Sequence, residues 1–154
     1  MSLRVTQFAA IILTALALVP GGAHLLELAH KIALDRAQYL EVQQLYRGWA
    51  LLGAVLIAAM LANLILAVRS RRQGRPVFLA AIATLLLVAN LTVFFAWTFP
   101  VNQATSNWTV MPADWEALRK QWEYSHAANA LLAFVALLAT VTSSLTWQAP
   151  STDR

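Results

Sequence analysis

"GWALLGAVLIAAMLANLILAV", residues 48–68, carries no charged side chain and stops at Arg69. As a helix rising 1.5 Å per residue, a run of this length crosses the roughly 30 Å hydrocarbon core of a bilayer. Residues 5–26, 77–99 and 124–152 are uncharged runs of similar reach. Four spans are therefore expected, and backbone groups in lipid must be satisfied within helices. Hydrophobic residues make up 60% of the chain and charged residues 12%, which leaves no stretch able to cover a separate soluble domain. The expected fold is all-α: one four-transmembrane-helix bundle over residues 1–154, with helices at about 4–33, 36–70, 77–99 and 115–147.

The absence of cysteine excludes disulfides, thiolate metal sites and iron–sulfur clusters. The formal net charge of +4 sorts by side. "RSRRQGRP" places Arg69, Arg71, Arg72 and Arg75 in one short connection, which the positive-inside rule makes cytoplasmic. Both termini then lie inside, with Arg4, Arg154 and Asp153. The opposite side holds Lys31, Arg36, Arg47, Arg119 and Lys120 against Glu27, Asp35, Glu41, Asp114, Glu116 and Glu123, close to balance. The basicity is a topology signal with some attraction to anionic lipid headgroups, and no nucleic-acid-binding module is present. The start, "MSLR" before an apolar run and "GGA", imitates a signal peptide whose cleavage after Ala23 would expose His24 as a copper-brace residue. It is read here as a retained first helix, interrupted by "PGG" at residues 20–22.

Leu34 to Tyr39 reads as an N-terminal capping box, with Asp35 as cap, Gln38 reaching back and Leu34 stapling onto Tyr39. Helix 2 then starts near Arg36. If it continues to Ser70 it is roughly 50 Å long and projects beyond the membrane. Helix 4, starting after Asp114 as a cap, and helix 1 project on the same outer side, while Pro76 and Pro100 bound a short helix 3. These projections offer a surface to a second copy of the chain or to a subunit of a membrane complex.

One hydrocarbon thickness counted from each cytoplasmic anchor reaches His24, Trp49, Trp97 and His126, so four helices bring these residues to one layer near the outer boundary. Tyr46 and Arg47 share it, with Glu27 and Glu123 just above. Trp115, Arg119, Trp122, His126 and Asn129 recur at helical spacing along one stripe. A stripe this polar faces the bundle interior rather than lipid. Helix 2 offers Tyr39, Gln43, Tyr46, Arg47, Ala50 and Ala54, helix 1 offers His24, Glu27 and Lys31, and helix 3 offers Asn90, Phe94 and Trp97. The expected result is a mouth, aromatic and cationic at the top, suited to a flat lipophilic ring system with a polar edge. The alternative is an ordinary aromatic belt with local ion pairs.

Two metal readings compete. Glu27-x-x-His30 and Glu123-x-x-His126 form half of a di-iron carboxylate pattern, but helix 2 offers only Glu41 and helix 3 no carboxylate. A haem between His24 and His126 is the second. No resident cofactor is the leading expectation.

"HLLELAHKIALDRAQYLEVQQLYRGW", "FPVNQATSNW" and "WEALRKQWEYSH" together resemble the small four-helix membrane family that includes the fungal anthrone oxygenases and many bacterial proteins. The resemblance covers nearly the whole chain and is most specific at Asn102, Trp115, Arg119, Trp122 and His126. Where the family is expected to carry an Arg three residues after the histidine, this chain has Asn129. What the resemblance implies is oxidation of a phenolic, polycyclic or quinone-like substrate by O2 without a bound cofactor, in a bacterial cytoplasmic (inner) membrane. On the residues, His126, with His24 as alternate, would be the general base, Arg119 or Arg47 the oxyanion partner, and Trp115 and Trp122 the stacking surface. The competing class is a non-catalytic lipid or quinone binder, or a small subunit of a membrane complex.

Overall fold

A computed structural model describes residues 2–148. The expected charges of Arg154 and Asp153 lie outside the described residues. Of the described residues 84% are helical, and four helical segments are long and apolar enough to cross a membrane. The protein is an integral membrane helical bundle. The helices are α1 (Leu3–Lys31), α2 (Arg36–Gln43), α3 (Leu52–Arg69), α4 (Gly74–Val93), α5 (Phe99–Ala104) and α6 (Trp115–Leu145).

Around the bundle α1 packs on α3, α3 on α4, α4 on α6, and α6 back on α1. The first and last spans are therefore neighbours, and this closure brings His24 toward His126. The core between them is built from small side chains. Ala59, Ala83, Leu87, Ala136 and Ala139 form one buried cluster, and Ala10, Ala62, Leu66, Ala67 and Ala80 another nearer the arginine-rich connection. Small residues let helices approach closely where lipid supplies no hydrophobic drive for association. One polar clasp interrupts this layer: Asn63 donates to Thr14 Oγ1 (2.9 Å) and accepts from Thr140 Oγ1 (2.7 Å), joining α1, α3 and α6.

One expected interruption and two expected boundaries are corrected. The Pro-Gly-Gly stretch does not break α1, which runs through Pro20. Gly21 serves packing instead: a Cβ there would lie 3.1 Å from the Ala130 backbone nitrogen. Helix 2 is not one rod over 36–70. After α2 the chain makes a 3-10 turn (Gln44–Tyr46), extends at Arg47 and turns left-handed at Gly48 (φ 90°) before re-entering the helix. Glycine alone adopts that φ without a Cβ penalty. Residues 36–48 are thus a separate segment held against the connection before α6, with Arg36 bonded to the Met111 carbonyl and Gln44 to the Trp108 carbonyl.

Helix 3 does not stop at Pro100. A π-turn at Phe94–Thr98 absorbs the proline, and the helical path continues through α5 to Ala104. Proline lacks an N–H and crowds the carbonyl four residues back, so a widened turn just before it lets the helix continue.

The capping box at Asp35 and Gln38 is formed as expected, and Leu34 packs on the Tyr39 cluster. Asp114 occupies the cap position of α6, but its side chain makes no capping hydrogen bond.

Candidate functional site

At the end of the bundle away from the arginine-rich connection, Lys31 is the centre of a buried polar cluster. It lies two helical turns after His24 on the same face of α1, in the last turn, where the helix dipole favours a cation. Its Nζ is 2.7 Å from Glu123 Oε1, 2.9 Å from His24 Nδ1 and 4.0 Å from Glu27 Oε2. The ammonium also sits over the Tyr46 ring, 4.5 Å from its centroid, and is 5.2 Å from that of Trp122. Lys31 is 3% exposed and Glu123 is fully buried, so each charge depends on the other.

Glu123 Oε1 accepts from Lys31, from the Tyr39 hydroxyl (2.9 Å) and from Gln43 Nε2 (3.5 Å). Its Oε2 is buried without a hydrogen-bond partner. An ammonium only donates, so His24 accepts at Nδ1 and carries its own proton on Nε2. Burial, reinforced by the Glu123 carboxylate, pushes the Tyr39 phenol up from its ordinary value. Burial and the hydrogen bond to Glu27 do the same to Tyr46. Both phenols remain neutral donors at physiological pH.

The two histidines meet. Their ring centroids are 4.3 Å apart, and Trp122 lies against both, at 4.2 Å from His126 and 4.7 Å from His24. Tyr46 closes the His24 side at 4.4 Å. The Trp122 indole N–H donates to Asn102 Oδ1 (2.7 Å), which fixes the ring from the α5 side. His126 Nε2 is buried with no hydrogen-bond partner, and so is Asn129 Oδ1 one turn further along α6. Asn90 Nδ2 donates to the backbone carbonyl of Asn129 (2.8 Å) and ties α4 to this level.

Other expected members are elsewhere. Arg119 is buried, but its Nη1 is spent on the carbonyls of Leu34 (2.6 Å) and Lys31 (3.4 Å), where it satisfies the end of α1. Its guanidinium lies over the Trp115 and Tyr39 rings, so Trp115 belongs to this upper storey and not to the histidine pair. Arg47 is exposed and bonds Gln44 (2.5 Å), because the turn at Gly48 rotates it out of the helix 2 stripe; Ala50 and Ala54 are exposed for the same reason. Trp97 is 53% exposed and faces outward. Instead of an open mouth, the rings of His24, Tyr46, Trp122 and His126 fill the interior against one another.

The metal patterns do not assemble. Among the described residues no three His, Cys, Asp or Glu side chains gather as ligands. His30 is exposed, so the two Glu-x-x-His motifs do not face each other. Lys31 already supplies the positive charge between Glu27, Glu123 and His24. The two imidazoles touch ring to ring, an arrangement that leaves no slot for a porphyrin between them.

The signals for Lys31, Tyr39 and Gln43 were present in the stripes of helices 1 and 2. Nothing in their spacing marked Lys31 as the hub. Trp108 has no place in those stripes. It is buried on Tyr39 and Trp122 through a left-handed turn, Ser106 to Trp108, that its sequence does not announce.

Comparison with protein-family models, curated proteins and solved structures finds no match to this chain.

Proposed function

We propose that this membrane protein binds a lipophilic phenolic or quinone-like ring system beside His126 and oxidises it with O2, in the manner of the anthrone oxygenases it resembles. The observation that carries this reading is the buried, unpartnered Nε2 of His126, edge-on to Trp122 and in contact with His24. A neutral imidazole without a partner, in an aromatic setting, is a proton acceptor waiting for an acidic C–H or phenol. Arg47 is exposed and Arg119 Nη1 is held by the carbonyls of Leu34 and Lys31, and the anion formed is stabilised by Lys31 through the Nε2–H of His24. The carbanion adds to O2 to give a peroxide anion, which takes up the proton held by His126 and becomes a hydroperoxide. Loss of water then leaves a carbonyl where a CH2 stood: one oxygen atom enters the product and the other leaves as water.

The expected setting is a bacterial cytoplasmic membrane with the cluster on the outer side, its partners being lipids and the ring substrate. A second reading, a non-catalytic binder or a subunit of a membrane complex, is favoured by the contact among the four rings, since a ligand must part them to enter.

The test is oxygen uptake by the detergent-solubilised protein with a hydroxylated anthrone, comparing the wild type with His126→Ala. Loss of uptake in a variant that still elutes as a folded species supports the catalytic role. Unchanged uptake rejects it. Co-purification of a stoichiometric partner, with no uptake by the wild type, supports the subunit reading.

A further inference from the structure

Trp122, Trp108 and Tyr39 form a chain of buried, oxidisable rings that starts at the histidine pair. Centroid to centroid, Trp122 is 4.2 Å from His126, Trp108 is 5.9 Å from Trp122, and Tyr39 is 5.0 Å from Trp108. All three are at most 5% exposed. Aromatic packing alone accounts for such contacts, so what sets this chain apart is where its protons can go. An indole or phenol that gives up one electron becomes a strong acid, and its oxidised form is trapped only where a base takes the proton. The Trp122 N–H is held by the amide oxygen of Asn102 (2.7 Å), a poor base. Among the described residues Trp108 Nε1 is buried without an acceptor. The Tyr39 hydroxyl instead donates to Glu123 Oε1 at 2.9 Å, and a carboxylate can accept its proton.

Tyr46 is the rival phenol. It is 6.5 Å from Trp122 and its hydroxyl donates to Glu27. It is only half-buried, however, and Lys31 Nζ stands 4.5 Å from its ring, closer than the 5.4 Å of Arg119 from the Tyr39 ring. A cation over a ring opposes the loss of an electron from it. We propose that Tyr39 and Glu123 form a redox-active tyrosine pair, which draws oxidising equivalents away from the histidines through Trp122 and Trp108. The oxidant is an organic peroxyl radical, formed where a bound ring meets O2; this step rests on the reading of the site given above. The radical takes one electron from Trp122 and, as the peroxide anion, the proton held by His126, which gives a hydroperoxide. Tyr39 refills Trp122 through Trp108, and its phenolic proton moves to Glu123 Oε1. One electron has passed, His126 is neutral again, and the oxidising equivalent rests on a neutral, buried tyrosyl radical.

The pair is tested without substrate, so its failure is distinct from failure of the ring-binding reading. The full chain in detergent is oxidised by flash-generated ruthenium(III) tris-bipyridine, with persulfate as electron acceptor. Samples frozen at increasing delays are read by electron paramagnetic resonance, with ring-deuterated tyrosine to identify the radical. The wild type should hold a long-lived tyrosyl signal that Tyr39→Phe loses and that Tyr46→Phe and Tyr124→Phe keep. Lys31→Met combined with Glu123→Gln removes the proton acceptor without stranding a charge, and should also lose the signal. Absence of a long-lived tyrosyl signal in the wild type, its survival in Tyr39→Phe, or its loss in Tyr46→Phe alone overturns the assignment to Tyr39. A signal lost in Tyr39→Phe yet unchanged in the double variant overturns the pairing with Glu123.

Discussion

The backbone of α6 at Ala130 lies so near Gly21 of α1 that a Cβ on the glycine would stand 3.1 Å from the Ala130 nitrogen and 3.2 Å from its Cα. One turn on from this contact are His24 on α1 and His126 on α6, their rings 4.3 Å apart. The glycine sets the spacing between the two helices, and that spacing sets the contact between the imidazoles. Gly21→Leu must push the helices apart or bend one of them. The expected cost is about 1–3 kcal/mol, as for overpacking elsewhere, read as a lowered thermal midpoint in detergent. At Gly22 the nearest atom is the Leu18 side chain at 3.9 Å, so Gly22→Ala should be neutral or slightly stabilising. Equal losses at the two glycines would remove the close approach as the cause.

Lys31 and Glu123 form an ion pair whose members are almost fully buried. Removing one partner strands a charge, so Lys31→Met should destabilise by about 3–5 kcal/mol. The double variant Lys31→Met with Glu123→Gln should recover much of that loss, because neither charge is then left alone. Unfolding in detergent across the four-member cycle measures the coupling. Strictly additive losses would mean that the pair is not coupled in the folded protein.

How much of this was legible in the sequence depends on which force placed each residue. The four spans followed from hydropathy and length, which act locally, and the common depth of His24 and His126 followed from counting residues of fixed rise. The stripe on α6 also read correctly as inward-facing, because Trp122, His126 and Asn129 obey a helical period. Arg47 failed because the helix has already ended there: its own ψ is 125° and Gly48 then turns left-handed, and periodicity cannot pass through such a point. Pro100 failed in the opposite sense, since a π-turn just before it lets the helix continue. The partner of Arg119 was illegible because backbone carbonyls leave no mark in composition. Lys31 was hidden by its ordinary appearance at a helix end.

Tyr39 gives an alkaline signature. Its phenol is pushed up by burial and by the Glu123 carboxylate, with Arg119 opposing. In the unfolded chain it ionises near its usual value of about 10. Between that value and the higher folded one the native state holds the extra proton, so stability is fully present below about pH 10 and declines as pH rises above it. Tyr39→Phe should flatten this decline in unfolding measurements over the alkaline range. The tyrosinate difference absorption of the folded wild type should also show two tyrosines, Tyr39 and Tyr46, that do not titrate with an ordinary phenol, and Tyr39→Phe should remove one of them. An unchanged alkaline slope in the variant would assign the decline to another group.

The contrast between the two arginines separates architecture from chemistry. Arg119 bonds the carbonyls of Leu34 and Lys31 at the end of α1 and stacks on Trp115. Arg119→Met leaves those carbonyls without their charged donor and should cost about 1–3 kcal/mol of stability. Because the end of α1 also positions Lys31, oxygen uptake should fall with it and be partly restored by Arg119→Lys, which returns a charged donor without the planar fork. Arg47 is exposed and its side chain bonds Gln44 of its own turn, so Arg47→Ala should change neither stability nor uptake. A variant at Arg119 that keeps wild-type stability while losing uptake would place its guanidinium on the substrate, against the carbonyl contacts that hold it in this fold.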